Sequence, residues 1–290
     1  MKKIMLLPLI GLLLIGCGRF GNKESGEKKD MRIVCLSKHL TEMMFAIGQG
    51  NKIVAVDLSS TYPDSARLLK TVGYHRALSA EGIISMDPDL VIHSKDIGPE
   101  QVEAQLLKAG IKEKIFVAAN TIDSAKLLLK ELGDYFGAGP VADSVIRKMD
   151  HDLSETVKKI SDRKITDTPS VMIIHFGRAN NVYFVMSGRN GAGDKMIKMA
   201  AGKTAHYDAK GARQISAEAV AAANPDIIIA TDFGFDQMGS MDKFISQVPG
   251  VSLTNAAKNK RIYRFEEHDL IYFGPRTGEN ILKLFNLIHP

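Results

Sequence analysis

Tyr74 and Arg76 stand two residues apart in the run Val72-Gly73-Tyr74-His75-Arg76-Ala77-Leu78. A tyrosine phenolate is a hard oxygen donor of the kind that suits ferric iron. An unperturbed phenol ionises near pH ~10, so ligation at neutral pH needs help, and a close cation lowers that value by ~1–3 units. In an extended segment alternate side chains share a face, which places Arg76 beside Tyr74 and turns His75 the other way. The residues alone leave a plainer alternative open, a tyrosine packed on its domain and an arginine in solvent. His175 ends an apolar run in the second half, and it either faces Tyr74 or caps a strand. Arg178 and Arg189 could meet carboxylates, and Tyr183-Phe184-Val185-Met186 could supply an apolar wall. No Gly-x-Ser-x-Gly elbow, His-Glu-x-x-His, phosphate loop or cysteine pair is present, so enzyme chemistry has no constellation to rest on.

The elements that position these residues come in two related sets. Leu78-Ser79-Ala80-Glu81-Gly82 runs on to Asp87-Pro88-Asp89-Leu90-Val91-Ile92, and Ile215-Ser216-Ala217-Glu218-Ala219 runs on to Asn224-Pro225-Asp226-Ile227-Ile228-Ile229. The offset is 137 residues at both ends. Each unit reads as a serine N-cap, a first-turn glutamate on the positive end of the helix dipole, a helix stopped before Pro, and a buried strand. Glu81 and Glu218 therefore start equivalent helices on two α/β lobes. Val141, Val145, Met149, Leu153, Val157 and Ile160 form one stripe at helical spacing, which predicts a single stiff helix of roughly 36 Å between the lobes.

The expected organisation is a signal peptide at 1–17, a flexible tether at 18–30, lobe one at 31–138, the connecting helix at 139–164 and lobe two at 165–290. Lys2 and Lys3 precede an apolar stretch too short to span a membrane comfortably, and Leu14-Ile15-Gly16-Cys17 is similar to the lipobox of bacterial lipoproteins. Lipid on Cys17 would tether the chain outside the cytoplasm, in the periplasm or at the cell surface. Cys35 then reads as a small buried hydrophobe. The net charge of +5 is spread along the chain, which argues against a nucleic-acid partner. In lobe one, strands are expected at 32–36, 53–56 and 115–117, with an irregular segment at 57–78 of a length that usually serves function. Strands alternating with helices predict mainly parallel sheets, with a cleft at the strands' C-terminal ends.

Ser60-Thr61-Tyr62-Pro63, the run Val72 to Gly82 and Phe273-Gly274-Pro275-Arg276 carry a specific resemblance. The chain resembles, over nearly all of residues 31–290, the class III substrate-binding proteins of ABC importers for haem, cobalamin and siderophores. It is most similar to the haem-binding members. That resemblance implies haem as a transported ligand with no catalytic cofactor, Tyr74 as the iron ligand, Arg76 as its support and His175 as a second ligand. Arg178 and Met186 would complete the ligand site. It also implies that Glu81 and Glu218 dock on permease subunits. The protein is expected to be a monomer, and a stiff connecting helix should keep motion between its lobes small. Where many relatives would place a basic rim residue, Asp232 stands. A siderophore or cobalamin carrier on the same fold is the alternative, and an extracytoplasmic enzyme or surface interaction protein is further off.

Overall fold

The computed structural model describes residues 31–177, 182–186, 188–205 and 213–290. Cys17, the signal and tether segments and Arg178 lie outside them. Lobe one contains β1 (Ile33–Cys35), α1 (Lys38–Ala46), β2 (Ile53–Val56), β3 (Lys70–Thr71), β4 (Gly73–Tyr74), β5 (Ala77–Leu78), α2 (Ala80–Ile84), β6 (Leu90–His93), α3 (Gln101–Lys108), β7 (Lys112–Ile115) and α4 (Ile122–Tyr135). Then comes α5 (Gly139–Asp162). Lobe two contains β8 (Ser170–Gly177), β9 (Val182–Val185), α6 (Ala192–Met199), β10 (Lys203–Thr204), β11 (Arg213–Gln214), α7 (Ala217–Ala223), β12 (Ile227–Thr231), α8 (Asp232–Met238), α9 (Met241–Gln247), α10 (Asn255–Lys258), β13 (Ile262–Phe265), α11 (Glu267–Ile271) and α12 (Thr277–Ile288).

The first sheet is parallel throughout, in the order β3-β2-β1-β6-β7. Its central strands β1 and β6 are apolar and buried, as strands covered on both faces must be. The edge strand β7, Lys112-Glu113-Lys114-Ile115, lies three residues before the expected strand. Its charges suit an edge, and Val117, counted as strand, is exposed. The second sheet, β11-β9-β8-β12-β13 with β10 on β8, is mixed: β9 runs antiparallel to both β8 and β11. The fold is thus α/β with two lobes and one long helix between them.

The repeat holds in three dimensions. Asp87 and Asn224 both adopt the left-handed conformation, φ 48° and 38°, which Asp and Asn tolerate better than most residues. One residue past the proline, the Asp89 carboxylate accepts the Arg32 N–H at 2.8 Å and the Asp226 carboxylate accepts the Ser170 N–H at 2.9 Å. Each aspartate ties the incoming helix-to-strand turn to the first strand of its own lobe. Ser79 and Ser216 cap α2 and α7 through their side chains, and Glu81 and Glu218 are exposed in the first turns.

Helix α5 packs on α4 of lobe one and α12 of lobe two. Its buried residues are Ala142, Met149 and Thr156. Val141 and Val157, placed on the stripe by spacing, face outward because a period of 3.6 carries the contact face through Ala142 and Thr156 instead. Both crossings are close. A Cβ on Gly133 of α4 would meet Ala142 Cβ at 2.5 Å, and one on Gly278 of α12 would meet the Asp152 carbonyl carbon at 2.8 Å. Thr156 Oγ1 donates to the Gly278 carbonyl at 3.0 Å. One apolar core runs from Ile33 and Leu129 through Met149 to Ile173 and Phe285, so the lobes share an interior.

Candidate ligand-binding site

Both lobes bring their polar side chains to the C-terminal ends of their sheets. On lobe one the segment after β2 leads to a hairpin in which Tyr74 pairs with Ala77 and Gly73 with Leu78. His75 and Arg76 are its two turn residues. The segment is therefore not extended through Arg76, and no strand pleat sets the Tyr74–Arg76 relation. Tyr74 is half-buried with its ring centroid 4.4 Å from that of His75, while Arg76 is exposed and donates from Nε to His75 Nε2 at 3.3 Å. His75 does turn inward: it is buried, with Nδ1 3.1 Å from Asp57 Oδ2.

On lobe two His175 lies within β8 rather than after it, and the strand continues through Phe176 and Gly177. His175 is paired with Phe184 across the antiparallel ladder, so the two side chains share a face. Phe184 closes over Gly177, where a Cβ would come within 2.4 Å of its ring. The Tyr183 ring turns to the opposite face, edge-on to Phe176 with centroids 4.9 Å apart. Met186 is half-buried and packs on the main core. His175 Nδ1 lies 3.0 Å from Thr231 Oγ1, and Nε2 lies 3.9 Å from Glu267 Oε1.

The lobes meet in a seam of buried charge. Lys38 of α1 pairs with Glu267 of α11 at 2.8 Å. Burial pushes the Lys38 amine down, but Glu267 and Tyr272 beside it hold it above its ordinary value. Glu42 of α1 bonds His268 and receives Arg276 Nε at 2.8 Å, and Arg276 also binds Asp269 at 2.7 Å. Burial pushes the Glu42 carboxyl up, yet the His268 and Arg276 contacts hold it below the usual carboxylate range. The Arg276 guanidinium stacks 3.6 Å above the Tyr62 ring, and His39 stacks on Tyr272 at 4.8 Å. Of these residues, sequence reasoning had singled out only Tyr62 and Arg276, through the motifs that contain them.

Beside the seam lies a cleft of about 410 Å³, lined by Thr61 and Arg67 of lobe one and by Asp232, Phe233, Asp236, Gln237, Arg264 and Glu266 of lobe two. Arg264 is fully engaged, with Asp236 at 2.6 and 2.8 Å and Glu266 at 2.7 Å. Asp232 stands at the rim for a local reason: its carboxylate accepts the Glu267 N–H at 2.9 Å, at the start of α11. Among the described residues no group of three or more His, Cys, Asp or Glu side chains could hold a bare metal ion.

A family model described as periplasmic binding protein matches residues 33–268. The chain is similar in structure to the periplasmic heme-binding protein RhuT from Roseiflexus sp. RS-1, with TM-score 0.81, 32% identity, and coverage of 90% of this chain and 98% of that one. It is also similar to a periplasmic heme-binding protein from Pseudomonas aeruginosa, with TM-score 0.81, 28% identity, and coverage of 90% and 93%. By sequence it is 28% identical to the uncharacterized ABC transporter substrate-binding lipoprotein YvrC of Bacillus subtilis, over 91% of this chain and 82% of that protein. It is 27% identical to the vitamin B12-binding protein of Yersinia pestis over 69% of each. The two-lobe architecture, the cleft at the strand ends and these matches agree: the chain belongs to the periplasmic binding protein family, as the substrate-binding protein of an ABC transporter.

Proposed function

We propose that the protein captures haem between its lobes and delivers it to an ABC permease. The observation that carries this is the hairpin after β2 of lobe one, which holds a half-buried tyrosine two residues from an exposed arginine. Tyr74 would supply the iron ligand and Arg76 the cation that favours the phenolate. His175, on the facing lobe, is the candidate second ligand, and Arg178 and Met186 complete the ligand-contacting set. Relatives described as heme-binding support this choice. In this reading Glu81 and Glu218 dock on the two permease subunits, and lipid on Cys17 keeps a monomeric carrier at the membrane, through the tether at 18–30. The lobes are residues 31–138 and 165–290, with 139–164 as their connecting helix.

The test is a hemin titration of the purified protein followed by absorption spectroscopy, with Tyr74→Ala and His175→Ala alongside. The expected result is a saturable Soret change with a ferric tyrosinate spectrum, lost in Tyr74→Ala. A folded wild type without a saturable change would refute the haem reading. Cobalamin is titrated next, because vitamin B12-binding proteins stand among the relatives.

A further inference from the structure

Behind Arg76 lies a chain of buried groups that ligand binding, as described above, does not use. Asp57 follows β2 with its carboxylate fully buried. The Ser59 and Ser60 hydroxyls donate to its two oxygens at 2.5 and 2.6 Å, and the Ser59 N–H adds a third bond at 3.0 Å. Burial pushes this carboxyl up, but the bonds from His75, Ser59 and Ser60 hold it below its ordinary value, so it is an anion.

The fourth partner of Asp57 is His75 Nδ1 at 3.1 Å, and on the other side of the ring Arg76 Nε–H points at Nε2 at 3.3 Å. A guanidinium N–H can only donate, so Nε2 carries a lone pair and Nδ1 the proton. A carboxylate at Nδ1 selects that same tautomer. Asp96 Oδ2, 3.8 Å from Nε2, is too far to compete for it by hydrogen bonding. Asp57 thus fixes the ring, and the ring fixes the Nε end of Arg76. The two Nη nitrogens have no hydrogen-bond partner among the described residues. In a two-residue turn there is no pleat to aim Arg76, so this grip is what aims it.

We propose that Asp57 and His75 are positioning residues of the ligand site: they hold Arg76 by its Nε so that its Nη groups face the anionic oxygen formed at Tyr74. The inference rests on the haem reading of the same site. His75 acts through Arg76 and touches no ligand itself.

The test compares His75→Gln, His75→Phe, Arg76→Ala and the double variant His75→Phe/Arg76→Ala in hemin titrations, with the tyrosinate resonance Raman band read on each complex. Glutamine can donate toward Asp57 and accept from Arg76, whereas phenylalanine does neither. His75→Gln should keep the wild-type band and affinity. His75→Phe should shift the band and lose affinity by about tenfold or more, the size of one charge-assisted hydrogen bond. The double variant should be no weaker than Arg76→Ala alone, because the two changes remove one interaction. Multiplying losses in the double variant, or a wild-type band in His75→Phe, would overturn the proposal while leaving the haem reading intact. A wild type that binds no hemin overturns both. Should His75→Phe fail to fold, Asp57→Asn, paired with Arg76→Ala, is read in the same way.

Discussion

His39 should make the fold lose stability between pH 7 and 5. It sits on α1, 3% exposed, stacked on Tyr272, with Nε2 2.9 Å from Ser94 Oγ. Burial, helped by the His268 and Lys38 charges, pushes its pKa down to about 3. Unfolded, the imidazole titrates near ~6.5. A depressed value means that the unfolded chain takes up a proton as pH falls below ~6.5 while the folded chain does not, so the stability is complete above that pH and lost as pH falls toward the folded value. The slope is ~1.4 kcal/mol per pH unit, so the interval from pH 7 to 5 costs about 2 kcal/mol. Glu42 and Asp57 are held below their ordinary values, and their contribution is lost only below pH ~4, outside this interval. Burial also lowers His93, which acts in the same direction, whereas the raised Glu113 acts against it, so the effect of His39 must be isolated by difference. Urea unfolding of wild type and His39→Gln at both pH values does this. The wild type should lose about 2 kcal/mol more than the variant. Equal losses would refute the claim that His39 stays neutral in the fold.

Three further outcomes are expected. Gly278→Ala puts a Cβ 2.8 Å from the Asp152 carbonyl carbon, so α12 must move off α5 at a cost of about 1–3 kcal/mol, read as a lower Tm. Arg276→Met strands Glu42 and Asp269 and should cost about 3–5 kcal/mol, with part recovered when Glu42→Gln is added; no recovery would show that the seam is not a coupled unit. Glu81→Ala and Glu218→Ala should leave hemin affinity unchanged and abolish uptake through the reconstituted transporter, and full uptake would remove their docking role.

The repeat was legible because each of its residues does a local job. Ser79 and Ser216 cap, Asp87 and Asn224 turn, and Asp89 and Asp226 tie back, all within short windows. The hairpin was not, because His75-Arg76 lacks the Gly, Asn or Asp that marks a two-residue turn, and the alternation around it reads as a strand. His175 was read as a strand end because apolar content falls after Ile174, whereas β8 continues to Gly177 through its pairing with β9. The seam was hidden for another reason. Glu42 and its partners His268 and Arg276 are 226 and 234 residues apart in the chain, and charged residues in isolation read as solvent-facing. The one local hint was Lys38, His39 and Glu42 recurring on a single short helix whose burial needs partners from elsewhere.

The seam also bears on how the site can choose its ligand. Opening the lobes would separate Lys38 from Glu267 and Glu42 from both His268 and Arg276, all buried or nearly so. Opening would rehydrate both members of each pair, which offsets the lost attraction, so the apolar core that the lobes share is what holds them together. The two glycine crossings add to this packing, since at each the neighbouring helix lies against α5 with no room for a Cβ. On the reading proposed above, a ligand meets a cleft already formed, and selection does not rest on large closure around the cargo. On that reading it rests on fixed chemistry, that of the Tyr74 hairpin on lobe one and of His175 on lobe two. Replacing those groups should change what binds, while replacing the seam should change how firmly the cleft is held.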